Sequence, residues 1–273
     1  MALSKIRQSV VAGRFYPASS QNIIEQIKDF IDTEKDKIDA LACVLPHAGY
    51  IYSGRVAVQT VARLKLRKKI ILLGPNHTGQ GEPYSIMADG EWVTPLGSIK
   101  IDVKLAASIL EASKCLEEDT LAHRQEHSLE VELPILQYFK ESFEIVPIAF
   151  MSDDLAVLKK IGEEIALGIK NSGLQDEVML LASSDMTHYE SQESAQTKDK
   201  LAIAAILELD PDKLMRRIKT YNISMCGYAP VIVMLSAVNS LGAKSAELIK
   251  YETSAKATGD TNSVVGYAGI IIK

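Results

Sequence analysis

Three of the five histidines in this chain follow apolar runs in the same way. His47 comes after CVLP, His77 after ILLGPN and His188 after MLLASSDMT. Short apolar runs of this kind read as strands buried on both faces. Each imidazole therefore falls just past the carboxyl end of a strand, where open α/β sheets form their ligand crevice. A lone histidine of this kind is better explained as a satisfied loop or core residue. Three in equivalent positions point to one shared site. Imidazole nitrogens ligate Fe, Cu and Zn, and two of them with one anionic ligand leave coordination positions open. Ends of neighbouring parallel strands lie about 5 Å apart, so loops can bring the side chains together.

Cys226, in SMCGYAP, offers the anionic ligand, because it precedes a predicted helix at 228–241. The positive end of a helix dipole lowers a thiol pKa and favours thiolate. Thiolate would complete a His2Cys set suited to Fe(II), Cu or Zn. The alternative is an inert buried cysteine, which is how Cys43 (inside a strand) and Cys115 (in SKCLEE) read. On this reading, thiol reagents reach Cys226 first. His127 lies in HRQEHSLEVELP, directly after Glu126 and three residues before Glu130. Near a helix start, Ser128 reads equally well as a simple cap. His123 reads as surface. The chain contains no GxGxxG after a strand, no P-loop, no HExxH and no GxSxG.

The elements that must hold these residues alternate between strand and helix. Ile23, Ile24, Ile27, Phe30 and Ile31 give helical spacing over 22–32, behind Ser19 or Ser20 as N-cap. The strands at 41–46 and 68–77 flank a helix through RVAVQTVARL. That is the length of one βαβ unit, so the two strands are expected to be parallel and adjacent. Residues 79–98 read as loop and edge strand, KLAASILEAS as a helix, and SLEVELPILQYF as a helix ended or kinked at Pro134. Strands at 144–150 and 177–185 enclose the amphipathic helix DLAVLKKIGEEIALGIK, and helical segments over 195–219 break at Asp210-Pro211. AELIKYETS and VVGYAGIII close the chain as strands. The pattern predicts an α/β fold: one domain over 1–273, with a largely parallel or mixed central sheet and helices on both faces.

Composition narrows the function classes. Hydrophobic residues at 47% and charged residues at 24% exclude wholesale disorder. Thirty Lys plus Arg against 35 Asp plus Glu gives −5, with no Lys/Arg-dense stretch, which argues against binding nucleic acid. Three distant cysteines without a CxxC pair argue against a disulfide framework and for a reducing, cytoplasmic compartment. The N-terminal stretch, punctuated by Lys5, Arg7 and Arg14, lacks the apolar core of a signal peptide. Thr220–Ala243 carries no formal charge, but its strongly apolar part, VIVML, is short. It reads as a buried helix, with no membrane span expected.

At VAGRFYP, PHAGYIYSG (46–54), GPNH (74–77), EHSLEVELP (126–134), SSDMTHY (183–189), MCGYAP (225–230) and SVVGYAGI (263–270) the chain resembles the Memo family. The likeness runs in order along nearly the whole sequence. It implies a fold similar to class III extradiol dioxygenases, non-haem iron enzymes with two His and a Glu on the metal. On the family pattern His47 and His77 match the two ligand histidines and Cys226 replaces the carboxylate. His188 matches the acid/base histidine, Asp185 shares its motif, and His127 lines the same cleft. A soft thiolate shifts preference towards Cu, or Fe(II) with altered redox behaviour. Eukaryotic members resemble signalling proteins that bind phosphotyrosine peptides, with Trp where this chain has Phe15. Prokaryotic members accompany radical-SAM and AMMECR1-like proteins. The expectation is a metal-dependent oxidoreductase acting on an unknown substrate, with His188 oriented by Asp185 to move protons. The alternatives are a non-catalytic module that captures a peptide or small anion, with Tyr50, Tyr52 and Tyr189 near the mouth, and a metal-assisted hydrolase.

Overall fold

Alternation along the strands divides the core into two layers. In a strand, successive side chains point to opposite faces. Accordingly Ala42 and Val44 join one apolar cluster, and Cys43 and Leu45 the other. Ile71 and Leu73 separate from Ile70 and Leu72 in the same manner, as do Leu180 and Ala182 from Met179 and Leu181. A sheet apolar on both faces must be covered on both. One face carries the helices Val103–Ala112, Leu155–Ser172 and Tyr228–Leu241, together with Gln192–Leu207 and Pro211–Tyr221. The other carries Ser20–Phe30, Arg55–Ala62 and Leu133–Phe139. A three-stranded sheet of Ile6–Arg7, Glu91–Thr94 and Gly97–Lys100 lies with them through Trp92 and Ile99. This computed structural model describes residues 5–32 and 36–273. The first four residues of the N-terminal stretch considered above lie outside them.

The central sheet is mixed. Four of its interior strands, Ala42–Leu45, Val178–Ser183, Lys69–Pro75 and Glu144–Phe150, run parallel in that order. Val264–Ile272 pairs antiparallel with Ala42–Leu45, and Tyr84–Ile86 antiparallel with Glu144–Phe150. The strands at 42–45 and 69–75 are thus parallel but not adjacent, because Val178–Ser183 lies between them. All six residues of that strand are buried, so it needs a neighbour on each side as well as cover on each face. Crossover length fixes the relative direction of two strands and leaves open how many others come to separate them.

Three local readings also change. Residues 128–132 form turns, and the helix begins at Leu133 with Pro134 in its first turn. Proline is tolerated there because the first-turn N–H groups have no intrahelical acceptor. Ser128 is no cap, since its hydroxyl donates to the Pro75 carbonyl at 3.0 Å. His123 is fully buried, its Nε2 3.1 Å from Ser85 Oγ and its ring against Trp92. Burial, then the nearby Arg7 charge, lowers its pKa to about 4. The break at Asp210-Pro211 is as expected, with Asp210 capping the helix that Pro211 begins by accepting from the Lys213 N–H. Among the described residues no helix is long and apolar enough to cross a membrane.

Tyr228–Leu241 instead packs tightly on Leu155–Ser172 at Gly162. A Cβ there would lie 2.4 Å from the Val233 carbonyl oxygen and 2.6 Å from Ser236 Cβ. Helix propensity alone favours Ala over Gly by about 1 kcal/mol, whereas overpacking costs about 1–3 kcal/mol. Gly162→Ala is expected to lower the urea midpoint. A raised midpoint would show that the two helices part at no cost.

Candidate functional site

Register brings the loops together. Leu45 pairs with Ser183 at the carboxyl ends of two parallel strands, so the residues following each emerge side by side. Asp185 ties them: its Oδ1 accepts from the His47 N–H at 2.9 Å and the Ala48 N–H at 3.3 Å. His47 Nδ1 lies 2.8 Å from Ser183 Oγ. His77 leaves the strand on the far side of Val178–Ser183, and Glu126 holds it. That carboxylate accepts from the His77 backbone N–H, lies 2.9 Å from His77 Nδ1 and accepts from the Ser128 N–H at 2.8 Å.

His127 stacks on His77 with ring centroids 4.7 Å apart, and its Nδ1 lies 3.4 Å from the same carboxylate. One ligand atom each from His47, His77 and His127 lies within 4.8 Å of the others. A second group with the same spacing comprises His47, Asp185 and Cys226. His47 is the shared member, with its Nε2 3.3 Å from Cys226 Sγ. The expected trio of His47, His77 and Cys226 is therefore spread over two overlapping groups, one extended by His127 and the other by Asp185.

His188 begins the strand His188–Glu190, which pairs with Val264–Ile272. Its N–H donates to Ser224 Oγ at 2.8 Å and its Nδ1 lies 2.9 Å from the Ser224 carbonyl. A carbonyl only accepts, so Nδ1 carries a proton, and in the neutral ring the lone pair lies on Nε2. The hydrogen-bonding partner of the ring is the Ser224 carbonyl, while Asp185 accepts through Oδ1 from the His47 loop.

His47, His77, His127, Asp185 and His188 line a cleft of about 480 Å³. Phe15, Tyr52, Tyr189 and Tyr267 give it an aromatic rim, and among the described residues no Lys or Arg lines it. Tyr50, expected near the mouth, is buried with its hydroxyl donating to the Val131 carbonyl. Tyr189 is 78% exposed and holds a left-handed backbone at φ 58°.

Electrostatics suits neutral donors. Burial, then the neighbouring His77 and His127, holds the His47 pKa well below the usual imidazole value. Burial likewise lowers His127. Both rings are neutral near pH 7 and keep a lone pair for a metal. Burial alone would raise Glu126, but the hydrogen bonds from His77 and from the Ser128 N–H outweigh it and hold the carboxyl at about 2. Burial pushes Asp185 up to about 6 against the opposing pull of His188.

The thiol reverses expectation. Burial, then the Asp185 charge, raises the Cys226 pKa. A helix terminus contributes only about 0.3–1 kcal/mol at an exposed site, less than desolvation costs a buried anion. Gly227 permits the close approach that buries Cys226, since a Cβ at that position would meet the Ser183 carbonyl at 2.3 Å.

Sequence reasoning passed over Glu126 as a functional residue, and Ser183 and Ser224 altogether. Glu126 was detectable, because a carboxylate directly before a cleft histidine is the ordinary partner of a metal-binding imidazole. The serines carry no comparable signal.

Fold and site together define an α/β protein with a histidine-rich cleft at the carboxyl edge of a mixed sheet. A family model described as "Memo-like protein" matches residues 7–271. The chain belongs to the Memo family. It is 43% identical over 270 residues to a MEMO1 family protein of Methanococcoides burtonii, covering 98% of this chain and 100% of that one. A MEMO1 family protein of Methanopyrus kandleri is 38% identical over 281 residues, covering 98% and 99%. Among solved structures, an uncharacterized protein from Escherichia coli K12 shares the fold at 15% identity, with a TM-score of 0.57, over 84% of this chain and 98% of that one.

The raised thiol gives a direct test. In metal-free protein at pH 7, iodoacetamide is expected to modify the partly exposed Cys115 before Cys226, with Cys226 gaining reactivity only at a pH higher than an ordinary thiol requires. Fast labelling of Cys226 at pH 7 would mean that the helix terminus prevails over burial.

Proposed function

We propose that the cleft is a mononuclear metal centre for redox chemistry on a small, unidentified substrate. The observation that carries this reading is the convergence of three imidazoles, two of them neutral donors by burial, each backed at Nδ1 by a fixed hydrogen-bonding or charged partner. Partners of that kind orient metal-binding histidines. His47 and His77 would hold the ion, with His127 as the third nitrogen of their group and Cys226, which joins His47 in the second group, as the softest donor within reach. This donor chemistry suits Fe(II) or Cu. Bound there, either metal supplies one-electron chemistry and activates oxygen. The chain's own residues do the rest. Asp185 and Ser183 position His47, Glu126 positions His77 and His127, and the aromatic rim receives the substrate. His188, held by Ser224 through Nδ1, presents Nε2 to accept or donate a proton. Reduced thiols favour a cytoplasmic setting, and the family pattern suggests work beside radical-SAM and AMMECR1-like proteins.

A second reading, a binding module without turnover, draws support from the exposed Tyr189. The aromatic rim of Phe15, Tyr52, Tyr189 and Tyr267 favours an aromatic or peptide ligand.

The discriminating measurement is metal content of untagged protein purified anaerobically, followed by Fe(II) and Cu(I) titration of variants. Cys226→Ala and His77→Ala are each expected to lower affinity at least 10-fold, about 1.4 kcal/mol. His188→Ala is expected to bind metal as wild type does. Because the thiol starts protonated, metal binding should release a proton and tighten as pH rises. Folded protein without metal, and variants that titrate like wild type, would sink the metal reading and leave the binding module.

A further inference from the structure

Two enclosed side chains each turn an unpaired oxygen to the cleft. Asp185 is 5% exposed and Tyr267 2%, and both line it. Asp185 commits its Oδ1 to the His47 and Ala48 N–H groups. Among the described residues no hydrogen bond reaches its Oδ2 or the Tyr267 hydroxyl, yet neither atom is cut off from the cleft. The backbone sets the two side by side. The Met186 N–H donates to the Gly266 carbonyl at 2.8 Å, and the Gly266 N–H to the Thr187 carbonyl at 2.9 Å. Asp185 and Tyr267 are the next residues on the two segments so joined. After burial, the Asp185 charge is the main influence raising the Tyr267 pKa, followed by Tyr52 and Tyr189.

The chemistry of these oxygens selects a ligand. A carboxylate oxygen only accepts, so its partner must be a donor, and a positively charged donor makes the stronger bond. A guanidinium gains most from binding both carboxylate oxygens at once, which the commitment of Oδ1 to the His47 loop denies it. A primary ammonium is compact and carries three donors, enough for Asp185 Oδ2 and the Tyr267 oxygen together. Phe15, Tyr52 and Tyr189 supply aromatic surface at the same mouth. Aromatic rings hold cations as well as apolar groups.

We propose that Asp185 Oδ2 and the Tyr267 hydroxyl form a subsite for a primary ammonium group, and that the cleft takes a small organic amine whose apolar part lies against Phe15, Tyr52 and Tyr189. This deepens the proposed function by giving its substrate a charge, and it rests on that reading only in calling the ligand a substrate. The subsite itself is defined without metal.

The test is ligand-observed NMR titration of metal-free protein at pH 8, where benzylamine is cationic and Asp185 is ionised. Three probes share one ring: benzylamine, the neutral benzyl alcohol, and benzyltrimethylammonium, which keeps the charge but has no N–H. A fragment of this size binds at about 1 mM at ordinary ligand efficiency, and benzylamine is expected there. The other two probes should bind about 10-fold more weakly, the scale of losing one hydrogen bond to a charged group. In Asp185→Asn the amide oxygen can still serve the His47 loop, which turns an N–H donor to the cleft in place of Oδ2. That variant and Tyr267→Phe should each weaken benzylamine about 10-fold and leave benzyl alcohol unchanged. If Asp185→Asn fails to fold, the isosteric Tyr267→Phe decides. Undetectable benzylamine binding, either control probe binding as tightly as benzylamine, or a folded variant that holds benzylamine like wild type would each overturn the proposal. The expected pattern in a protein that binds no metal would instead overturn the proposed redox function and leave the ammonium subsite standing.

Discussion

The site depends on one buried carboxylate. Glu126 is enclosed by protein, yet it stays ionised because every available donor converges on it: the His77 ring and backbone, the Ser128 N–H and, at longer range, His127. Charge-assisted hydrogen bonds of this kind are what allow an anion to remain out of water. Without them the carboxyl would take up a proton and the two rings would lose their common anchor. The stacking of His77 on His127 follows from sharing that anchor.

The EHSLEVELP segment gives three nearby glutamates three different environments. Glu126 serves the cleft. Glu130 turns to the N-terminal segment, where it pairs with Arg7 at 2.7 Å and accepts from the Val10 and Val11 N–H groups and the Tyr16 hydroxyl. Glu132 lies under Ser183. The Glu130 contacts fix the chain on both sides of Phe15, whose ring rests 4.7 Å from His127. Arg7 also donates to the Glu126 carbonyl at 2.6 Å. The start of the chain is thus part of the cleft wall, held there by a charge pair that the fold would otherwise have no reason to bury.

What the sequence discloses and what it conceals have separate physical origins. Apolar periodicity is a local property, so the strands holding His47, His77 and His188, and the helices between them, are readable directly. Strand direction follows from crossover length. Strand order does not, because it depends on which apolar segment fills the gap between two others, and Val178–Ser183 is distant from both neighbours in sequence. Burial of polar groups is equally non-local. His123 looks like surface from its neighbours but lies beneath Trp92, and Cys226 looks activated from its helix but is governed by desolvation and by Asp185, which arrives from another loop. The family resemblance supplied the residues of the cleft. It gave no indication that Ser224 orients His188 or that Ser183 stands behind His47.

The inserted strand also has a consequence in time. His47 and His77 flank the position that Val178–Ser183 occupies, so during synthesis Ala42–Leu45 and Lys69–Pro75 have no common neighbour until that segment has left the ribosome. Pairing with Val264–Ile272 waits longer still. Long-range contacts of this type are made late, since loop-closure entropy must be overcome before they are rewarded. The strands that carry His47 and His77 thus gain their shared neighbour only after about two thirds of the chain has been made. Topology delays the cleft until the rest of the molecule can enclose it.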